Sequence, residues 1–461
     1  MPTARAITIF ARTALLPEGW AENVTVAVGA DGRIMTIEQG AGAASGADRA
    51  GILLPSPANL HSHAFQRAMA GMTERRGGQT RDSFWTWRQI MFQFLDALSP
   101  EDVEAITAFV QMEMLEAGYG SVGEFHYLHH QPGGAPYDNL AELSERIAAA
   151  AAGTGIGLTL LPVLYQHGGC DKRPLGPGQV RFGNDFDRYL RLHAAAGAAL
   201  TTLDDDAVLG VAPHSLRAVD DDGLMAAIEL AGERPLHIHA AEQIAEVDEV
   251  RDAVGQRPVE YLLSRYPVGR NWCLIHATQM TPGETRSLAA SGAVAGLCPI
   301  TESSLGDGIF DGVRYQEAGG RFGIGSDSNI RISLSEELRT LEYSQRLRDR
   351  QRALFATVEH STGRALLQSA AEGGAQALGR SSGRIAPGCF ADLVALDDTA
   401  IDLAGRTGDE ILDAFIFAGD DRLVRDVWSA GRHVVHGGKH VKREAISARY
   451  RSTMAALRDR L

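Results

Sequence analysis

Eight short apolar runs, at 52–58, 121–125, 157–163, 208–212, 235–238, 272–275, 293–297 and 321–325, restrict the fold of this chain more than any other feature. Each has the length of a strand, and most are separated by helically patterned segments. Alternating strands and helices argue for a parallel sheet, because parallel neighbours need a long crossover between them. Eight such units predict closure into a (β/α)8 TIM barrel of the α/β class, with the residues that close each strand gathered at one rim. The helical patterns are clearest at 140–152, 220–231 and 282–291, and at Ser99-Pro100-Glu101-Asp102. There Ser99 reads as the N-cap, Pro100 as the first helical residue and Gly118 as the stop. The glycine- and proline-rich stretch 168–178 reads as a mobile loop after the third strand.

The two ends depart from this pattern. Short β-type runs alternate with turn signals near the N-terminus, as in 24–28 followed by Gly29-Ala30-Asp31-Gly32, and β-type runs recur at 391–396, 424–428 and 433–435. The two pieces are expected to pair into one small β-sandwich domain. The division is then 1–54 and 379–461 for that domain, the latter with a terminal helix, and 55–378 for the barrel. A chain of 461 residues has room for both, since the barrel alone takes roughly 250.

A net charge of −14 argues against nucleic acid or an anionic membrane as partner, because those surfaces need clustered Lys and Arg. Any anionic substrate must be met by local arginines. Cys170, Cys273, Cys298 and Cys389 lie far apart with no CxxC pair, which reads as free thiols. The apolar run at 7–10 is too short for a signal-peptide core and no run reaches membrane-spanning length, so a cytoplasmic protein is expected.

Chemistry is expected at the strand ends. His61-Ser62-His63 close the first run, Glu124-Phe125-His126-Tyr127 the second, His214 and Arg217 follow the fourth, and His237-Ile238-His239 close the fifth. His276 closes the sixth and Asp327 the eighth. Residues i and i+2 of a strand share a face, so His61 and His63 can grip one ion at roughly 2 Å each. His239 and Asp327 complete a set of four. His239 is preferred to His237 because it lies nearer the strand end and three residues before Glu242, leaving His237 a supporting or core position. Asp327 follows Gly323 and Gly325, which permit close backbone approach, and its carboxylate can both ligate an ion and accept a proton. Glu242 is a candidate proton carrier, with an exposed glutamate at a helix start as the plain alternative. His276 is a candidate hydrogen-bond partner for the attacking oxygen, with a buried structural histidine as its alternative. No lysine closes the fourth strand, so the carbamylated bridge that a second ion needs is not visible. One divalent ion is expected, zinc by default, and iron or manganese suit the same donors.

These residues, with Leu15-Leu16-Pro17-Glu18-Gly19-Trp20, Asn59-Leu60-His61-Ser62-His63-Ala64-Phe65-Gln66-Arg67, Phe84-Trp85-Thr86-Trp87-Arg88, Glu124-Phe125-His126-Tyr127, His214-Ser215-Leu216-Arg217-Ala218-Val219 and Leu305-Gly306-Asp307-Gly308, carry a resemblance. The chain resembles the amidohydrolase superfamily and, within it, the formimidoylglutamate deiminases of bacterial histidine degradation, over nearly its whole length. That likeness implies a small dicarboxylate substrate bearing a formimino group, hydrolysed to the formyl compound and ammonia. It implies substrate contacts from Gln66, Arg88, Tyr127, His214 and Arg217, with the two arginines pairing bidentately with carboxylates. It further implies that zinc acidifies water, Asp327 takes the proton, His276 steadies the developing charge and Glu242 helps protonate the departing ammonia. Two positions depart from the family pattern: Asn329 stands where histidine is expected, and Ser303-Ser304 replace Ala-Asn. Barrels of this kind commonly pair as homodimers, although no sequence feature argues for it. The rival readings are an imidazolonepropionase-like or aromatic-base deaminase sharing the ligands, and a non-catalytic barrel that binds a ligand.

Overall fold

The structure, a computed structural model, describes residues 6–40, 42–43, 45–74 and 84–461, without the side chains of 84–86. The start of the chain, and the Phe84-Trp85-Thr86 part of the aromatic stretch, therefore lie outside the side chains described. In chain order the strands are β1 (Ile7–Leu16), β2 (Gly19–Val28), β3 (Ile34–Gln39), β4 (Asp48–Pro55), β5 (Ala58–Ser62), β6 (Ser121–His126), β7 (Gly157–Leu164), β8 (Val208–Leu209) and β9 (Ala212–Pro213). They continue with β10 (Leu236–Ala240), β11 (Trp272–His276), β12 (Val294–Leu297), β13 (Arg321–Ile324), β14 (Leu393–Leu396), β15 (Val424–Ser429), β16 (Arg432–His436) and β17 (Lys439–His440).

The parallel strands run β10-β11-β12-β13-β5-β6-β7-β8, with β9 beside β7. Parallel bridges from Val211 to Leu236 and from Ser215 to His239 bring the last strands back to the first, which closes the barrel. Its fourth unit is not one strand. The run 208–212 is interrupted at Gly210-Val211, where a Cβ on Gly210 would collide with Pro235 and Leu161, and it resumes as the two-residue β9 ending in Pro213, which has no N–H to donate. The first apolar run is also divided. Residues up to Pro55 belong to the terminal sheet, and the barrel strand starts only at Ala58. Between them Ser56 turns the chain, its N–H on the Asp392 carbonyl at 3.0 Å and its hydroxyl on the Gly118 carbonyl at 2.6 Å.

The chain ends come together in one mixed sheet ordered β17-β16-β15-β14-β4-β1-β2-β3, in which β4 lies between β1, its parallel partner, and β14, its antiparallel one. Ile9, Val26, Leu53, Leu393 and Trp428 are among its own buried cluster. The domain is tied to the barrel by Arg380, 5% exposed, whose guanidinium reaches Asp392 at 2.6 Å and Asp206 at 2.8 Å.

The helix signals act locally. Ser99 caps Pro100–Glu116 with a reciprocal Ser99–Asp102 capping box, and Thr281 does the same with Glu284 for Pro282–Ser291. The segment 168–178 carries its own hydrogen bonds, including Gly168 N–H to the Arg173 carbonyl at 2.8 Å and Gly176 N–H to Gln179 Oε1 at 2.9 Å. All four cysteines are free, and no helix among the described residues is long and apolar enough to cross a membrane.

Candidate metal centre and active site

His61 comes from β5 and His63 directly follows it, His239 comes from β10, and Asp327 from the turn after β13. All four are buried, and their donor atoms lie within 4.8 Å of one another. The backbone holds the two flanking strand ends together: Asp327 N–H donates to the His61 carbonyl and His63 N–H to the Asp327 carbonyl, both at 2.9 Å. Asn59 adds a side-chain clasp, its amide donating to Ser326 Oγ at 2.7 Å and accepting from Ser326 N–H at 3.1 Å. Such closeness needs glycine at 325. A Cβ there would stand 2.7 Å from the His61 carbonyl oxygen and 2.8 Å from its nitrogen.

The donor set fits a cation on electrostatic grounds. His63 Nδ1 lies 3.0 Å from the Phe125 carbonyl and His239 Nδ1 lies 3.1 Å from the His214 carbonyl. Carbonyl oxygens only accept, so both Nδ1 atoms carry hydrogen, and whenever the rings are neutral both Nε2 atoms present lone pairs. Yet His63 Nε2 faces Asp327 Oδ1 at 3.2 Å, His61 Nε2 faces the same oxygen at 3.4 Å, and His239 Nε2 faces His61 Nε2 at 3.1 Å. One His61 hydrogen can satisfy only one of these contacts, and the remaining lone pairs repel unless a positive charge lies among them. Burial pushes His61 down to about 3 and His239 well below the ordinary histidine range, which leaves neutral rings suited to ligation. His237 shares the inward face of β10 one layer deeper and spends Nε2 on the Ala377 carbonyl at 2.8 Å. His126 packs its ring on His129 at 4.8 Å, outside the cluster.

Glu242 and His276 stand beside the ligands, with His276 Nε2 3.8 Å from Glu242 Oε1. On its other side His276 Nδ1 meets Glu302 Oε1 at 3.3 Å, an oxygen also held by Cys298 N–H at 2.8 Å. Burial pulls the imidazole down, but the facing Glu242 and Glu302 carboxylates hold it well above the ordinary histidine range. Burial pushes the Glu242 carboxyl upward, against the pull of His276 and Arg217. Glu246 accepts the N–H groups of Ala241 and Glu242 at 3.2 and 3.0 Å and so fixes the turn that presents Glu242. Left-handed backbone at Ala241 (φ 52°), His276 (φ 69°) and Asp327 (φ 46°) shows that three strand ends are bent out of their preferred conformation here, at a cost of about 1–3 kcal/mol each.

Gln66, Arg88, Tyr127, His214 and Arg217 line one cleft together with His63, His239, Glu242, His276 and Asp327. Gln66 donates to Tyr127 Oη at 2.7 Å, while its Oε1 is buried and finds no partner among the described residues. His214 Nδ1 lies 3.0 Å from Ser215 Oγ; burial, then Arg217 and Arg88, keep the ring neutral. Arg217 is buried, and although burial opposes its charge, Glu246 and Glu242 hold its pKa above the ordinary value. Sequence reasoning missed Glu302 and Tyr165. Tyr165 follows β7 directly and could have been found as the residue closing the third strand, whereas nothing in the local sequence marks Glu302. The two departures are accommodated. Asn329, at φ 54°, uses its amide on Ser62 Oγ and the Asp327 carbonyl, both at 3.1 Å, and accepts from Ser326 Oγ at 2.6 Å. Ser303 Oγ donates to the Pro299 carbonyl at 2.7 Å, and Ser304 lines a side cavity beside Gln66.

A closed parallel barrel with such a centre at its strand ends defines a metal-dependent hydrolase, and the chain belongs to the amidohydrolase family, whose profile matches residues 52–434. Residues 6–51 match the N-terminal domain of the formimidoylglutamate deiminase HutF. The formimidoylglutamate deiminase of Pseudomonas aeruginosa is 48% identical over 455 residues, 98% of this chain and 99% of the relative. The crystal structure of an amidohydrolase from Brucella melitensis superposes with a TM-score of 0.93 at 47% identity, covering 98% of this chain and 99% of that one. An adenosine deaminase from Xanthomonas campestris with bound zinc shares the fold, with a TM-score of 0.82, 22% identity and full coverage of both chains.

Proposed function

We propose that this protein hydrolyses N-formimino-L-glutamate to N-formyl-L-glutamate and ammonia, the deimination step of histidine degradation. The observation that carries this reading is a cleft in which a cation-demanding ligand set and two arginines, Arg88 and Arg217, converge on one small volume of a chain whose net charge is −14. A dicarboxylate gains from both guanidinium groups there. The near full-length likeness to a formimidoylglutamate deiminase supports the same substrate.

His61, His63, His239 and Asp327 would hold one divalent ion, zinc on this reading, and when bound it supplies Lewis acidity that brings the pKa of water toward neutrality. Arg88 and Arg217 anchor the carboxylates, and Gln66, Tyr127 and His214 orient the formimino end. Asp327 accepts the proton that water releases as its oxygen bonds to the formimino carbon. His276, seated between Glu242 and Glu302, stabilises negative charge developing on that oxygen. Glu242, whose carboxyl burial pushes upward, gives its proton to the formimino nitrogen, Asp327 passes on the proton it took from water, and ammonia leaves as the carbonyl forms and the hydroxyl hydrogen returns to Glu242. The reading also carries a cytoplasmic location, and a division of labour in which 55–378 does the chemistry while 1–54 and 379–461 brace it.

Purified, zinc-loaded protein is expected to release ammonia from N-formimino-L-glutamate far faster than from cytosine, guanine or adenine derivatives. Equal or reversed preference would favour the aromatic-base reading and overturn this one. A folded protein that takes up no metal and turns over nothing would make it a binding protein.

A further inference from the structure

Tyr165 stands immediately after β7, 3% exposed, with its ring against His214 at 4.6 Å and Phe182 at 5.7 Å between centroids, and it lines the same cleft as Arg88 and Arg217. Its hydroxyl oxygen receives Arg88 Nη2 at 2.8 Å and Gln179 Nε2 at 2.9 Å. The orientation of the Gln179 amide is settled separately, because its Oε1 accepts Gly176 N–H at 2.9 Å, which turns the nitrogen toward Tyr165. A guanidinium can only donate, and so can an amide nitrogen. Both lone pairs of the phenol oxygen are therefore used, and its own hydrogen is left over. No acceptor for that hydrogen occurs among the described residues. Buried O–H groups rarely go without a partner in folded proteins. The missing partner is thus an acceptor that arrives in the cleft, next to Arg88.

We infer that Tyr165 and Arg88 form one carboxylate clamp, in which the phenol hydrogen and the guanidinium bind the same carboxylate of the substrate while Gln179 locks the phenol from behind. The inference rests on the dicarboxylate reading above and assigns one end of that substrate. It gives the loop around Gly176 and Gln179 a task, since the loop fixes a hydroxyl rather than touching the ligand. It also makes the clamp a specificity device. Arg88 and Tyr165 together offer only donors, so a carboxylate satisfies them. A carboxamide, which brings its own N–H groups, leaves donor facing donor.

Tyr165→Phe keeps the ring packing and removes only the hydroxyl. The KM for N-formimino-L-glutamate is expected to rise on the order of 10- to 100-fold, the loss typical of a hydrogen bond to a charged group, with kcat changed less than about threefold because binding is lost equally from ground and transition states. Gln179→Leu should raise KM by a smaller factor. The discriminating arm uses two analogues, each lacking one of the two carboxylates. The Tyr165→Phe penalty should vanish with one analogue and persist with the other, whereas a merely structural role would penalise both alike. Wild-type turnover of N-formimino-L-glutamate with an unchanged KM in Tyr165→Phe, or an equal penalty on both analogues, overturns the clamp alone. Absence of wild-type turnover sinks the functional reading and the clamp with it. Should Tyr165→Phe not fold by circular dichroism, Gln179→Leu carries the same two-analogue criterion.

Discussion

Gly325→Ala places a methyl carbon where His61 already stands. Its Cβ would lie 2.7 Å from the His61 carbonyl oxygen, 2.8 Å from the His61 nitrogen and 2.9 Å from the His61 Cβ. Two of these are backbone atoms, so no rotamer change relieves them. Ordinary contact begins near 3.4 Å, and the ends of β5 and β13 must therefore separate by about 0.5–1 Å. Overpacking of that kind costs roughly 1–3 kcal/mol. The strand that moves carries His61 and leads directly into His63, and the segment that follows the glycine carries Asp327. Metal–ligand distances tolerate only about 0.2 Å, so the displacement should cost the site on the order of 10- to 100-fold in metal affinity, with kcat/KM falling in step at limiting metal. The measurements are bound metal by elemental analysis after dialysis against a graded metal buffer, and the urea midpoint of the metal-free protein. Gly153→Ala is the control. Nothing lies within 4 Å of its added Cβ, and it occupies the helix Glu142–Thr154, so stability should hold or rise by up to about 1 kcal/mol. A Gly325→Ala protein that binds metal as tightly as wild type and keeps its kcat/KM within twofold would refute the claim that this glycine sets the ligand geometry.

Removing metal with a chelator should abolish ammonia release and lower the thermal midpoint, by an amount that corresponds to about 4 kcal/mol if the ion was present at 1,000 times its dissociation constant, and zinc should restore both. Full activity in demonstrably metal-free protein refutes the assignment of the four-residue centre. Arg380→Met leaves Asp392 and the nearby Asp206 without a principal buried cation, and unfolding in urea should show a loss of about 3–5 kcal/mol with kcat of the folded fraction unchanged. A loss below about 1 kcal/mol would show that the pair does not brace the two domains.

Much of the barrel could be read from the chain because its signals are local. Strand-length apolar runs, N-caps such as Ser99 and Thr281, and stop residues act within a few positions, and the structure places helices where those signals lie. The boundary at 52–58 was not legible in that way. A hydrophobic run reports burial but not which sheet does the burying, and Ser56 divides it through bonds to Gly118 and Asp392, far away in sequence. The same holds for the fourth strand, where Gly210 and Pro213 shorten the pairing of a run that is apolar throughout.

At the metal centre the chain alone determined the donor chemistry: residue types, the alternation that puts His61 and His63 on one face, and the small residue before Asp327. Alternation could not separate His237 from His239, because both face inward; depth along the barrel did, since two residues span roughly 6.6 Å and only the upper ring reaches the rim. The raised pKa values of His276 and Glu242 likewise came from the tertiary structure, which sets carboxylates against the imidazole and buries Glu242. Tyr165 was decided there as well. Its hydroxyl acquires a task only when Arg88, distant in sequence, and Gln179, further along the same loop, close on it. Side-chain identity and local period belong to the sequence, whereas charge state, depth and the pairing of distant donors depend on what the fold brings within about 3 Å.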